Sequence, residues 1–204
     1  MHGHGAAAAC LYTAAGQRKY LNAAERARFI ASAKASPRPE VRALCLTLAY
    51  TGCRISEALA LPRSAIEMGC GFIAIRSLKK RKGTIVVREV PVPADLLNVL
   101  SYEPFAVRAP SARLWTLSRS RAWQLVKGVM IEAGIPAGPH QTPKGLRHGF
   151  GIHAIRSGVP LNLVQRWLGH ARMETTAIYL QAMGTEEREF AARMWPVEAD
   201  HLGV

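Results

Sequence analysis

Apolar residues recur every three to four positions through most of this chain, and one stretch is instead rich in β-forming residues. From Asn22 to Ala35 the spacing predicts an amphipathic helix, with Ala24, Ala27, Phe29 and Ile30 available to face a core. Asn22 is placed to cap it, and Glu25, three residues on, stands in capping-box position. Pro37-Arg38-Pro39 breaks the chain, and a second helix follows from about Glu40 to Tyr50. Its run Ala43–Ala49 is apolar nearly all round, which predicts a central, buried element. Thr51-Gly52 ends that helix. A short one restarts over Arg54–Leu61, with Ile55, Ala58 and Leu59 on one side, and Pro62 stops it.

The pattern then changes. Residues 71–75 and 84–92 are rich in Ile, Val and Phe and predict a β-hairpin. Its tip, Lys79-Lys80-Arg81-Lys82-Gly83, carries four successive cations. After Pro93 the helical period returns, over roughly 94–101, 119–133, 144–157, 161–168, 172–182 and 185–194. The fold class read from this order is mainly α with one small antiparallel sheet, an α+β domain. The expected organisation is a loose tail over residues 1–20, one domain over 21–195 and a short tail over 196–204.

Charge narrows the range of functions. The 204 residues include 27 Lys+Arg against 14 Asp+Glu, a net +13. A surplus of that size creates a field that draws polyanions, and nucleic acid is the leading partner. Cys10, Cys45, Cys53 and Cys70 are irregularly spaced with no C-x-x-C pair, so neither a zinc site nor a disulfide framework is implied. Free thiols and the lack of a long apolar run predict a cytoplasmic protein with no membrane contact. Signatures for nucleotide cofactors, metal hydrolysis and serine hydrolysis are missing from the sequence. Acidic residues are few and dispersed, which disfavours a carboxylate-held two-metal nuclease. Chemistry on DNA here would run without a cofactor, on cations and a side-chain nucleophile.

Three segments offer such a set. Thr51-Gly52-Cys53-Arg54-Ile55-Ser56-Glu57 puts an arginine at a helix start, with Glu57 one turn on to brace it. Thr142-Pro143-Lys144-Gly145-Leu146-Arg147-His148 places Lys144 and Arg147 on one face of a helix. Leu168-Gly169-His170 ends another helix, and Tyr179 follows nine residues later. Each segment alone reads more readily as ordinary packing or a solvated surface.

In this order and spacing the segments resemble the tyrosine recombinase (phage integrase) family over about residues 22–194. The resemblance implies that Arg54 and Arg147 clamp a DNA phosphate and that His170 hydrogen-bonds it. Tyr179 would attack it, giving a 3′-phosphotyrosine that a free 5′-hydroxyl can reseal without metal or ATP. Lys79, with Lys80 as the alternative, would protonate the leaving 5′-oxygen. Nearby arginines would favour the Tyr179 phenolate. Lys80, Arg81 and Lys82 at the tip, and Arg119 and Arg121 at the start of the 119–133 helix, are candidate DNA contacts.

Two departures from the family pattern stand out. Lys144 occupies the position three before the second arginine that is usually histidine, which leaves the acceptor of the tyrosine proton open. Only about twenty residues precede the matching part, so the chain resembles compact recombinases without a separate N-terminal DNA-clamping domain. The resemblance implies double-stranded DNA as partner and a homo-tetramer on synapsed DNA, monomeric when free. The segment Glu186–Trp195, with Phe190, Met194 and Trp195 as apolar anchors, is expected to dock on a neighbouring subunit, with packing on its own domain as the alternative. A type IB topoisomerase, or a regulator on the same fold that no longer cleaves, remain the alternatives.

Overall fold

In a computed structural model, the described residues are 10–78, 86–102 and 104–182. Within them eight α-helices and a three-stranded sheet follow in the order α1 (Ala23–Ala35), α2 (Pro39–Thr51), α3 (Ile55–Leu59), β1 (Ile66–Glu67), β2 (Phe72–Arg76), β3 (Val87–Pro91), α4 (Ala94–Ser101), α5 (Arg119–Glu132), α6 (Pro143–Arg156), α7 (Leu161–Leu168) and α8 (Glu174–Ala177). The sheet is antiparallel in the order β1-β2-β3, with Ile73 opposite Val90 and Ile75 opposite Arg88. The mainly helical α+β class is therefore correct. The hairpin tip, including Lys79, Lys80, Arg81 and Lys82, and the expected helix over 185–194 lie outside the described residues.

Helix α1 starts as its sequence predicts. The Asn22 side chain accepts from the Glu25 amide while the Glu25 carboxylate accepts from the Asn22 amide. The buried face differs from expectation, because Ala24 and Ala27 are exposed and the buried positions are Glu25, Phe29 and Ala33. Glu25 tolerates burial because Arg18 closes an ion pair over it. That pair also alters the picture of the first twenty residues. Residues 10–20, expected as loose tail, fold back on the domain: Leu11 is fully buried and the Lys19 amide donates to the Leu11 carbonyl.

Helix α2 is the central element, with Ala43 through Ala49 all buried. It ends at Gly52, where φ is +60° and the backbone lies against Phe150 and Leu168. A Cβ at Gly52 would sit 2.4 Å from the Phe150 ring. Left-handed strain of about 1–2 kcal/mol adds to an overpacking cost of about 1–3 kcal/mol. Gly52→Ala should therefore lose about 2–5 kcal/mol in urea unfolding. A variant as stable as the parent would contradict this account of the α2–α3 turn.

Helix α6 joins the two halves of the core. Its start is set by Pro143 in the first turn and by the Thr142 hydroxyl, which accepts from the Gly145 amide at 3.0 Å. Residues 145–152 are all buried. Leu146 packs with α1, α2, the sheet and α5, while Phe150, Ile152, Ala154 and Ile155 pack with Leu11, α7 and Tyr179. The helix expected over 172–182 is split: α8 gives way to a 3-10 turn over Ile178–Ala182.

Candidate active site

The first arginine is fixed by a buried carboxylate. Arg54 caps α3 and donates its Nη1 to Glu57 Oε1 at 2.8 Å, while its backbone amide donates to Glu57 Oε2 at 2.9 Å. Glu57 also holds Arg88, whose Nη2 lies 2.7 Å from Oε2 in an almost fully buried pair. Arg88 in turn donates its Nε to the Trp167 carbonyl at 2.6 Å. One carboxylate thus ties α3, β3 and the end of α7 together. Burial works against its charge, but the two arginines and the Arg54 amide hold the carboxyl below the ordinary range.

The second arginine is held by main chain. Arg147 Nη1 donates to the Gly52 carbonyl at 2.8 Å and Nη2 to the Leu168 carbonyl at 2.7 Å. Both acceptors are the carbonyls at helix ends, where unsatisfied oxygens favour a cation. Burial and the nearby Arg54 lower the guanidinium to about 10, so it stays charged at neutral pH. Two cations brought together beside a single carboxylate leave an excess of positive charge, which an anion would relieve.

Arg54 and Arg147 line one cavity of about 880 Å³ together with Lys19, Arg119, Lys144, His148 and His170. Among the described residues no carboxylate lines its wall. His170 follows Gly169, whose φ of +64° ends α7, and its Nδ1 lies 3.0 Å from the Thr176 hydroxyl. Tyr179 is fully buried behind this wall, its ring stacked on His170 at 6.2 Å. The ring fits only because residue 151 is glycine: a Cβ there would lie 2.5 Å from it. The phenolic oxygen lies 3.2 Å from Nδ1 of His148.

Residues 19–185 match the sequence profile of the phage integrase family. The chain belongs to that family. Among curated members it is 31% identical over 161 residues to tyrosine recombinase XerA of Pyrococcus furiosus, covering 74% of this chain and 54% of the relative. It is 34% identical over 146 residues to tyrosine recombinase XerD of Mycobacterium tuberculosis, covering 68% and 46%. The chain thus spans about half the length of the curated relatives it matches. A crystal structure of XerA recombinase superposes with a TM-score of 0.70 at 27% identity, covering 87% of this chain and 65% of that one. The catalytic domain of bacteriophage HP1 integrase superposes at 0.60 and 21% identity, covering 88% and 98%, and shares the fold. So does XerH recombinase bound to its difH substrate, at 0.65 and 21% identity, covering 89% and 59%.

Within this integrase fold Arg54, Lys144, Arg147 and His170 surround one cavity, with Tyr179 directly behind it. Arg119 joins them there, whereas Arg121 lies on a separate groove with Ser36, Arg38 and Glu132. Lys144 is exposed, and among the described residues no hydrogen bond or ion pair holds its side chain. The expectation that nearby arginines favour the phenolate is corrected. Burial raises Tyr179 to about 12 and outweighs Arg147 and Arg54, so the resting side chain is a phenol.

Three contributors were not singled out from the sequence. His148 touches the tyrosine, Arg88 braces Glu57, and Lys19 brings the N-terminal segment to the cavity. Arg88 did leave a signal. It occupies an inward position of an alternating strand, where Val90 is also buried, and a buried arginine must have a partner.

The two histidines impose a pH dependence on folding. Burial, reinforced by neighbouring cations, lowers His148 to about 4 and His170 to about 3. Both are below the unfolded value of about 6.5, so the unfolded chain binds more protons as pH falls below that value. Stability is fully present above about pH 6.5 and is lost as pH drops toward 4. Allowing for partial exposure, unfolding free energy should fall by roughly 2–4 kcal/mol between pH 7 and pH 5. Urea midpoints at the two pH values measure it; equal midpoints would contradict the buried neutral imidazoles.

Proposed function

We propose that this protein is a site-specific DNA recombinase that breaks and rejoins strands through a covalent 3′-phosphotyrosine at Tyr179. The observation that carries this reading is the convergence of Arg54 and Arg147 on a cavity that no carboxylate of the described residues lines, directly in front of a buried tyrosine. A phosphodiester is anionic and gains charge as a nucleophile approaches. Two planar guanidiniums offset that charge at the non-bridging oxygens, and such preorganised donors are typically worth about 3–4 kcal/mol each in rate. His170, neutral and anchored through Nδ1 to Thr176, is the third donor to the phosphate.

In the forward step the Tyr179 oxygen bonds to phosphorus and the bond to the 5′-oxygen breaks. Lys79, or its neighbour Lys80, supplies the proton that the leaving oxygen needs. Neither bond change consumes ATP or an electron. The phosphotyrosyl ester keeps the energy of the broken linkage, so a 5′-hydroxyl from another strand reverses the step.

The partner is double-stranded DNA, in line with the net +13 and with XerH, a site-specific recombinase of related fold bound to its difH substrate. Arg119 beside the cavity, Arg121 on the separate groove, and Lys80, Arg81 and Lys82, between β2 and β3 in the sequence, would contact flanking phosphates. Exchange between two duplexes needs four active sites, so the working form is a tetramer on DNA built from protomers that are separate when free. A cytoplasmic location goes with this role.

The test uses two differently labelled duplexes carrying the DNA that flanks the protein's own coding sequence, with EDTA present. Label exchange between duplexes supports recombination. Plasmid relaxation without exchange would make the protein a topoisomerase, and binding without any adduct would make it a regulator. Strict dependence on magnesium would contradict the mechanism.

A further inference from the structure

We propose that His148 is the acceptor of the Tyr179 phenolic proton, the position that the lysine at residue 144 leaves open. This rests on the recombinase reading above and assigns one step of it. Among the described residues, the only titratable side chain within hydrogen-bond distance of the phenolic oxygen is His148, at 3.2 Å. His170 presents its ring face to the phenol, with an interplanar angle of 22°, and its Nδ1 is engaged by Thr176. Lys144 is exposed one turn earlier on α6, and among the described residues no hydrogen bond joins it to the phenol.

The backbone of α6 explains the arrangement. Arg147 and His148 are consecutive, so they diverge by one helical step: one reaches the Gly52 and Leu168 carbonyls, the other the tyrosine. Gly151 lies three residues beyond His148 on the same face. The ring of Tyr179 lies over Gly151 while its hydroxyl reaches His148. Arginine, histidine and, three residues on, glycine thus form one device on one helix.

The protonation states fit the role. His148 is neutral, because burial and the charges of Lys144, Arg147 and Lys19 all disfavour its cation. Its Nε2 is buried and has no hydrogen-bond partner among the described residues. In the tautomer with hydrogen on Nε2, Nδ1 carries the lone pair and faces the phenol. Without DNA, transfer is strongly uphill and the tyrosine stays inert. A bound phosphodiester neutralises the cations that hold His148 down, so its basicity rises when the target arrives. As the Tyr179 oxygen bonds to phosphorus, its proton passes to Nδ1; on ligation the imidazolium returns it to the departing phenolate.

The decisive variant is His148→Asn, which keeps a hydrogen-bond acceptor near the Nδ1 position but cannot take up a proton. Adduct formation on a nicked duplex should slow by about 100- to 1,000-fold, with DNA affinity within about threefold of the parent. A substrate with sulfur at the 5′-bridging position needs no leaving-group proton, so it should not restore the rate. Added imidazole should partly restore it in His148→Ala, and Lys144→Ala should lose less than about tenfold.

Should both His148 variants fail to fold, the wild-type protein still decides. Its cleavage of the sulfur substrate should rise with loss of one proton between about pH 5 and 7. The groups around that titration are Lys19, Lys144, Arg147, His170 and Tyr179. A profile that does not rise between about pH 5 and 7 would overturn the assignment. So would a His148→Asn protein that cleaves within about tenfold of the parent, or one rescued by the sulfur substrate. A wild-type protein that forms no Tyr179 adduct would instead bring down the recombinase reading itself.

Discussion

Tyr179→Phe should form no covalent protein–DNA complex and carry out no recombination, while binding DNA almost as tightly as the parent. Phenylalanine retains the ring that fills the space over Gly151 and stacks on His170. What it removes is the hydroxyl and its contact with His148. The structural cost is limited to leaving that imidazole nitrogen unpaired, about 1–3 kcal/mol. Loss of adduct therefore reports on chemistry. Tyr12, Tyr20, Tyr50 and Tyr102 do not touch the cavity, and phenylalanine at each should leave cleavage unchanged. Denaturing gels of nicked duplexes separate these outcomes, and a Tyr179→Phe protein that still becomes linked to DNA would overturn the nucleophile assignment.

Arg147→Lys should lower cleavage by about two to three orders of magnitude and weaken DNA binding far less. The charge survives, but the fork does not. Arg147 spans the Gly52 and Leu168 carbonyls with two nitrogens, and one ammonium cannot hold both while also meeting a phosphate oxygen. The α2–α3 turn and the end of α7 lose their link, and with it the placement of Arg54 and His170. Single-turnover cleavage measured beside a binding titration tests this. Equal losses in the two would recast Arg147 as a simple affinity contact.

Much of this site was legible because local signals and tertiary needs agreed. The capping box at Asn22, the nearly all-apolar run Ala43–Ala49 of α2 and the glycine ends at Gly52 and Gly169 are short-range features, and each stands where it was read. Arg54, Lys144, Arg147 and His170 meet because those elements pack as their apolar faces require.

What the sequence hid depends on distance. Glu25 sits at a buried position of α1 only because Arg18 reaches it from seven residues earlier, which no helical pattern encodes. Residues 10–20 looked like tail because their one fully buried apolar anchor is Leu11, inserted among α6, α7 and Tyr179. His148 stood beside a recognised arginine yet showed no role until the fold brought residue 179 to it, 31 positions along the chain. The protonation of Tyr179 was misjudged for the same reason: charge is visible in a sequence, but burial, which dominates here, is not.

The most direct test is to trap the wild-type protein on a nicked duplex in EDTA, digest the adduct with protease and identify the peptide bound to DNA by mass spectrometry. The account predicts one peptide, with the DNA 3′-phosphate on Tyr179 and yield unchanged by the chelator. A 5′-phosphate linkage, attachment at any other residue, or an adduct that forms only with divalent metal would contradict it.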